Sequence, residues 1–279
     1  MRYHAGDSRG RIATGNRRAN RASVAARPRA EDILRALVVS DLHSNAEALR
    51  AVLSHVRRKK FDAVVCLGDF VGYCAEPNQV VDAMRTFKAK KFYIRGNHDR
   101  VAVGLGEGSG FNPAAKIAAE WTQKHLSAPN RRFLEKLPLG PLERDDFLLC
   151  HGSPSDEDEY VFHEGHASRI FDSTDASIVL YGHTHLPVIF SVDQNGRVRG
   201  SAVNGDALVR LERNRRYLIN PGSVGQPRDR NPRSSFAIVD SSKMTAQFFR
   251  VPYNIAKTQA AILKAGLPAV LANRLKWGT

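Results

Sequence analysis

Seven side chains able to ligate metals stand at five places where a short apolar run ends. "RALVVS" leads into Asp41-Leu42-His43, "DAVVCLG" into Asp69, and "KFYIRG" into Asn97-His98-Asp99. Further on, "FLLC" meets His151-Gly152, and "SIVLY" meets Gly182-His183-Thr184-His185. One such place alone is a polar strand end: Gly96-Asn97 is a good turn pair, and Asn and Asp tolerate left-handed backbone. Five together ask for a common ligand. Asp41, His43, Asp69, Asn97, His151, His183 and His185 offer oxygen and nitrogen donors and no thiolate. That is too many for one zinc and suits two ions sharing a carboxylate. Imidazole and carboxylate without sulfur favour Mn, Fe, Co, Ni or Zn over copper or iron–sulfur. Two ions about 3.5–4 Å apart can hold a bridging hydroxide and clamp both the attacking and the leaving oxygen.

Such a set needs a frame that delivers all five strand ends to one place. "RALVVS" (35–40) reads as a strand, and Asn45 caps a helix through "AEALRAVLSHVRRKK", with Leu49, Val52, Leu53 and Val56 on one face. "DAVVCLG" (62–68) is the next strand. "PNQVVDAMRTF" (77–87) opens with Pro, as a helix can, and "KFYIRG" (91–96) is a third strand. Strand–helix–strand–helix–strand implies parallel pairing with helical crossovers, whose ligands bind beyond the carboxyl ends of the strands. Helices over 112–126 and 130–137 follow. The later segments "FLLCHG", "SIVLYGH", "PVIFSVD", "ALVRLE", "RYLINPG", "SFAIVD" and "AQFFRV" read as a second, antiparallel-to-mixed sheet, with Asn195-Gly196 as a hairpin signal. Two helices split at Gly266 and Pro268 end the chain. The expectation is an α/β fold in which residues 31–279 form one domain of two sheets flanked by helices.

Bulk properties narrow the class. Of the formal charge of +14, a net +7 lies in residues 1–30, where eight arginines face Asp7 alone. This extension has no hydrophobic period and is expected to be disordered. Three readings of it compete: an upstream stretch translated from a misassigned start near Val24, a basic arm for nucleic acid or an acidic partner, and an organellar transit peptide. Nucleic acid enters as a partner only through this arm. No run reaches the ~18 apolar residues of a membrane span. Cys66, Cys74 and Cys150 are an odd set without metal-site spacing, which suits a reducing, cytoplasmic setting.

The ordered motifs Asp-x-His, Gly-Asp, Gly-Asn-His-Asp, His and Gly-His-x-His resemble the calcineurin-like metallophosphoesterase superfamily over essentially all of residues 36–279. "GDFVGYCAEPNQVV", "HGSPSDEDEYVF", "INPGSVGQPRD" and "AGLPAVLANRL" further resemble a small bacterial-type branch of it. The resemblance implies a four-layer αββα sandwich. It implies that Asp41, His43 and His185 bind a first ion, that Asn97, His151 and His183 bind a second, and that Asp69 bridges them. It also implies that His98 is no ligand but faces the phosphoryl group, assisting the leaving oxygen, with Asp99 holding it as imidazolium. The implied reaction is in-line attack of a metal-bridging hydroxide on a small phosphomonoester or phosphodiester, with manganese the first choice of metal.

Arg95 precedes Gly-Asn-His, as in Ser/Thr protein phosphatases, and its fork suits the oxygens of a terminal phosphate. The second phosphate-gripping arginine of those enzymes is absent at Gly72-Tyr73, where Arg100 or Arg228 could substitute. A protein phosphatase, a nucleotide hydrolase and a non-catalytic scaffold are the alternatives; a degenerate scaffold should lack His98 or some ligands, and none is missing. Asp156, Glu157, Asp158 and Glu159 read as a solvated acidic loop that would repel polyanions if it faced the site. "NPGSVG" (220–225) reads as a turn supporting the ligand loops. His163 and His166 have no tie to the ligand set. Oligomeric state is not encoded in any of these features.

Overall fold

β1 (Arg35–Val39) and β2 (Ala63–Cys66) consist almost wholly of buried aliphatic residues, as strands covered on both faces must. They belong to a computed structural model that describes residues 35–279; residues 1–30, and the readings made of them, lie outside the described residues. β1 and β2 are linked through α1 (Ala46–Val56), and α2 (Pro77–Thr86) connects β2 to β3 (Lys90–Tyr93). The three strands pair in parallel, as the alternating pattern predicts. Asn45 caps α1 by accepting from Ala48 N at 3.1 Å, a contact of about 1 kcal/mol.

Three helices follow: α3 (Asn97–Ala102), α4 (Pro113–His125) and α5 (Ala128–Glu135). β4 (Leu142–Arg144) and β5 (Phe147–Leu149) precede α6 (Glu164–Ser173) and β6 (Ile178–Leu180). Six strands come next: β7 (Pro187–Val192), β8 (Val198–Ala202), β9 (Ala207–Arg210), β10 (Arg216–Pro221), β11 (Ser234–Asp240) and β12 (Thr245–Val251). α7 (Ile255–Lys264), α8 (Ala269–Asn273) and a 3₁₀ turn at Arg274–Lys276 complete the chain.

Two mixed sheets of six strands result, ordered β3-β2-β1-β11-β12-β9 and β4-β5-β6-β10-β7-β8. The late strands therefore do not all form a second sheet. β11 joins β1 antiparallel and carries β12 and β9 with it, because its fully buried run can be covered only at the centre of a sheet. The hairpin at Asn195-Gly196 is present, with Gly196 at φ +77, but its second strand is β8, which is too polar to read as a strand.

Period-two alternation sorts the core into layers. Ala36, Val38, Val65 and Val239 of the first sheet meet Leu149, Leu180 and Ile219 of the second. Leu37, Val39, Val64 and Cys66 point outward onto Leu49, Val52, Val80 and Met84 of α1 and α2. Val179, Tyr181 and Leu218 on the far side meet Ala167, Ile170 and Phe171 of α6. The order is helix, sheet, sheet, helix. α4, α7 and α8 add a cap in which Ala115, Ile262 and Leu271 enclose Tyr73 and Cys74. No helix among the described residues is long and apolar enough to cross a membrane.

Candidate metal centre

The carboxyl ends of β1, β2, β3, β5 and β6 converge, and the seven candidate ligands stand on the loops just beyond them. Asp41 and His43 follow β1, Asp69 follows β2, and Asn97 opens α3 beyond β3. His151 follows β5, while His183 and His185 follow β6. All seven are buried. Five of them hold left-handed backbone: Asp41 at φ 54, His43 at 47, Asp69 at 55, His183 at 65 and His185 at 61. Each such residue costs on the order of 1–3 kcal/mol, so the strain has to be held by its surroundings.

Hydrogen bonds between the loops do that holding. Asp41 N donates to Gly68 O at 3.1 Å, His43 N to Asp69 O at 3.0 Å, and Gly182 N to His151 O at 2.8 Å. The 220–225 turn braces the first loop: Ser223 Oγ donates to Asp41 O at 2.8 Å, and Val224 N to Ser40 O at 3.0 Å. Asn220 Nδ2 reaches Gly182 O at 2.6 Å. At Gly225 a β-carbon would lie 2.6 Å from Leu42 C, so only glycine lets these two loops touch.

The ligand atoms fall into two groups that share one residue. Asp41, His43, Asp69 and His185 form the first, and Asp69, His151 and His183 the second, with ligand atoms of each group within 4.8 Å of one another. Asn97 Oδ1 joins the second at 3.2 Å from His151 Nε2. Asp69 Oδ2 lies 3.6 Å from His43 Nε2 and 3.3 Å from His151 Nε2.

Backbone carbonyls fix the imidazole tautomers. Nδ1 of His43 meets Val71 O at 3.0 Å, Nδ1 of His151 meets Leu67 O at 2.7 Å, and Nδ1 of His185 meets Gln226 O at 2.6 Å. A carbonyl only accepts, so each Nδ1 carries a proton, and in neutral His43 and His185 the Nε2 turns a lone pair inward. In His183 the roles reverse, Nε2 meeting Asp158 O at 3.2 Å and Nδ1 facing His151 Nε2 at 3.2 Å. Lone pairs of His43 and His185 thus face each other at 3.0 Å, an arrangement that calls for a cation between them. Asp41 Oδ2 and Asp69 Oδ2 are buried without hydrogen-bond partners, two further vacant donors. These residues fit a pair of divalent cations, and carbonyl anchoring of the outer nitrogens is how metal-binding imidazoles are commonly oriented.

Electrostatics of the cluster express the same demand. Burial alone would lift Asp69, but the charges of His151, His98 and His43 hold its carboxyl well below the ordinary carboxylate range. Burial pulls His151 down most strongly of any single cause, yet the charge and hydrogen bond of Asp69, the Asp41 charge and the Leu67 carbonyl together outweigh it and lift the imidazole to about 10. Burial also drives His43 and His185 well below the usual imidazole value and His183 to about 3. Asp41 is raised to about 7, chiefly by burial.

A cleft of about 360 Å³ adjoins the cluster, with Tyr73, Asn97, His98, Arg100, Phe111 and Tyr160 among its lining. The His98 ring stacks on Phe111 at a centroid distance of 4.2 Å, and Tyr160 stacks on His183 at 4.0 Å. Phe111, Tyr73 and Tyr160 were not singled out by sequence reasoning. One usable signal was available for Phe111, a lone aromatic in the glycine-rich "GEGSGF".

Asp99 does not accompany His98. Its Oδ1 accepts from Val71 N at 3.1 Å and its Oδ2 from Gly96 N at 3.0 Å, so it pins the start of α3 to the loop after β2. Burial leaves His98 at about 4, a neutral imidazole rather than the expected imidazolium. Arg95 is likewise engaged elsewhere: its Nε lies 3.4 Å from Glu157 Oε2. Glu157 also pairs with Arg100, and Asp158 pairs with Arg100 at 2.8 Å. The acidic loop is therefore no free solvated anion, because arginines neutralise it. His163 caps α6 by accepting from Gly165 N at 3.2 Å and stacks on His166, outside the ligand groups.

Comparison with known proteins agrees with this geometry. The sequence model described as calcineurin-like phosphoesterase superfamily domain matches residues 34–244. An uncharacterized protein of Methanocaldococcus jannaschii is 35% identical over 246 residues, covering 86% of this chain and 97% of its own. The crystal structure of a metallophosphoesterase from Sphaerobacter thermophilus is 36% identical with a TM-score of 0.78, covering 89% of this chain and 100% of that one. A hypothetical protein from Pyrococcus horikoshii OT3, 19% identical, shares the fold with a TM-score of 0.69 over 88% of this chain and 98% of that one.

Proposed function

The chain belongs to the calcineurin-like phosphoesterase superfamily, and from that premise we propose that it hydrolyses a small phosphoric ester with the help of two divalent cations. The observation that carries this reading is the single carboxylate of Asp69 serving both ligand groups. Two cations that share it sit close enough to act on one phosphoryl group. When bound, they supply a water of lowered pKa as nucleophile and neutralise charge on the phosphoryl oxygens. Manganese is our first candidate, with Fe, Co, Ni and Zn compatible with the same donors.

The chain's own groups do the rest. Asp41, His43 and His185 would hold one cation and Asn97, His151 and His183 the other, with Asp69 shared between them. His98 lines the cleft, its ring fixed between Phe111 and Tyr73. A neutral imidazole there donates a hydrogen bond to the phosphoryl group. An arriving anion raises its pKa, so the ring can take up a proton from solvent as the anion binds and pass it to the leaving oxygen. The segment around Gly108 and Phe111 lines the cleft together with Tyr160, and the cleft's volume of about 360 Å³ suits a small ester. Three buried cysteines without disulfides suit a reducing compartment such as the cytoplasm.

The test is catalytic efficiency of the Mn²⁺-loaded protein on p-nitrophenyl phosphate beside bis-p-nitrophenyl phosphate. Turnover of either, abolished by Asp69→Asn, is the expected result. Preference for the monoester makes the enzyme a phosphatase, and preference for the diester a phosphodiesterase. A protein that binds two Mn²⁺ and hydrolyses neither these nor a panel of nucleotides is a scaffold on the same fold.

A further inference from the structure

We propose that Arg228, and not Arg95, is the side chain that holds the non-bridging oxygens of the substrate's phosphoryl group; the proposal rests on the phosphoesterase reading above. It follows from asking which arginines around the centre still have charge to offer. Arg95 shares Glu157 with Arg100, and Arg100 also holds Asp158. Arg250 is paired with Asp229. Arg274 lies across Tyr73, its guanidinium carbon 6.0 Å from the ring centre, and its Nε is engaged by the Thr279 carbonyl. Unlike Arg95, Arg100 and Arg250, Arg228 makes contacts only with neutral groups, and unlike Arg274 it has an Nε that no partner engages. Its Nη2 donates to Tyr73 Oη at 3.1 Å and to Gln226 Oε1 at 3.2 Å, and among the described residues it forms no ion pair. Its Nε is buried without a partner.

Its position is tied to the metal centre. Arg228 N donates to His185 O at 3.4 Å, and Gln226 O, two residues earlier, accepts from His185 Nδ1 at 2.6 Å. The guanidinium carbon lies 5.7 Å from the Tyr73 ring centre. That ring packs at 4.6 Å from His43 and 4.5 Å from His98. Arg228 is thus one ring away from a metal ligand and from the proposed leaving-group acid, and its charge is felt at Asp41, His43, His98 and His185.

Two divalent cations would outweigh the carboxylates of Asp41 and Asp69, so an unpaired guanidinium near them would be repelled. An anion that enters the cleft reverses the sign of that interaction. The planar fork of arginine matches two phosphoryl oxygens, and an ordinary ammonium does not. Tyr73 adds a second donor: its oxygen accepts from Arg228, leaving its own O–H proton for the same anion.

The experiment is calorimetric binding of inorganic phosphate to Mn²⁺-loaded wild type, Arg228→Ala, Arg228→Gln, Arg228→Lys and Arg95→Ala, with bound manganese measured in each sample. Loss of one charge-assisted contact weakens binding by about 10- to 100-fold. That loss is expected in Arg228→Ala and Arg228→Gln at unchanged manganese content, with Arg228→Lys intermediate and Arg95→Ala within about 3-fold of wild type. Gln keeps a donor for Tyr73 and most of the side-chain volume, so it separates lost charge from lost packing. Arg228→Gln binding both phosphate and manganese like wild type overturns the arginine assignment alone, as does a larger loss in Arg95→Ala. Wild type that takes up two Mn²⁺ but no phosphate overturns the assignment together with the phosphoesterase reading.

Discussion

Gly96 and Asp69 touch so closely that a β-carbon on Gly96 would lie 2.5 Å from Asp69 N and nearer still to its Oδ1. Asp69 Oδ1 also accepts from His98 N at 2.9 Å, so the carboxylate shared by both ligand groups is aimed by the start of α3. Gly96→Ala must push that loop away from Asp69. We expect manganese affinity to fall about 10- to 100-fold, as when other supports of ligands are removed, with far-UV circular dichroism unchanged. Metal titration of the two proteins decides it, and equal affinities would show that Asp69 is aimed by something else.

Metal uptake should release protons, and the sign follows from the cluster. His151, raised to about 10 by Asp69, Asp41 and the Leu67 carbonyl together against its burial, is protonated at neutral pH, and Asp41, raised to about 7 chiefly by burial, is partly so. Both must deprotonate to ligate. His43, His183 and His185 have lowered values and are already neutral there, so they release nothing. Affinity therefore rises with pH, by about one proton's worth above pH 7 and approaching two below it. Calorimetry at pH 6 and pH 8 in buffers of different ionisation enthalpy measures this directly; proton uptake, or none, contradicts it.

The gathering of these seven side chains was legible because strand, polar and turn residues recur in one order five times, and local propensity agrees with the fold at β1, α1, β2, α2 and β3. What stayed hidden depends on contacts distant in sequence. Nothing in "SFAIVD" says that β11 pairs with β1 rather than with its neighbours. Six-residue α3 is too short to show a helical period, so Asn97-His98-Asp99 looked like a turn, and Asp99, placed to bind two backbone N–H groups, looked like a partner for His98. Arg95 misled for the same reason: the sequence places it beside Asn97, while Glu157, 62 residues later, takes its charge.

His98→Ala should bind manganese as the wild type does, since none of its atoms belongs to either ligand group. Removal of a general acid typically lowers kcat by about 10²- to 10⁴-fold. The loss should be larger for an alkyl phosphate, whose leaving oxygen needs a proton, than for p-nitrophenyl phosphate, whose phenolate does not. Equal losses on both would leave His98 as a group that only binds the phosphoryl oxygens.

Glu157 offers the last prediction, because one buried carboxylate restrains two arginines. Glu157→Gln leaves Arg95 without its ion pair and Arg100 with Asp158 alone. A partly buried charge that loses its partner destabilises by about 1–3 kcal/mol, or a few degrees in Tm for a domain of this size. Function should move the other way. Positive charge no longer cancelled at the cleft wall attracts anions, so KM for phosphoesters should fall about 2- to 5-fold, and the gain should vanish in high salt. A rise in KM at any salt would mean that Glu157 orients Arg100 for substrate instead of masking it, making Arg100 a binding group in its own right.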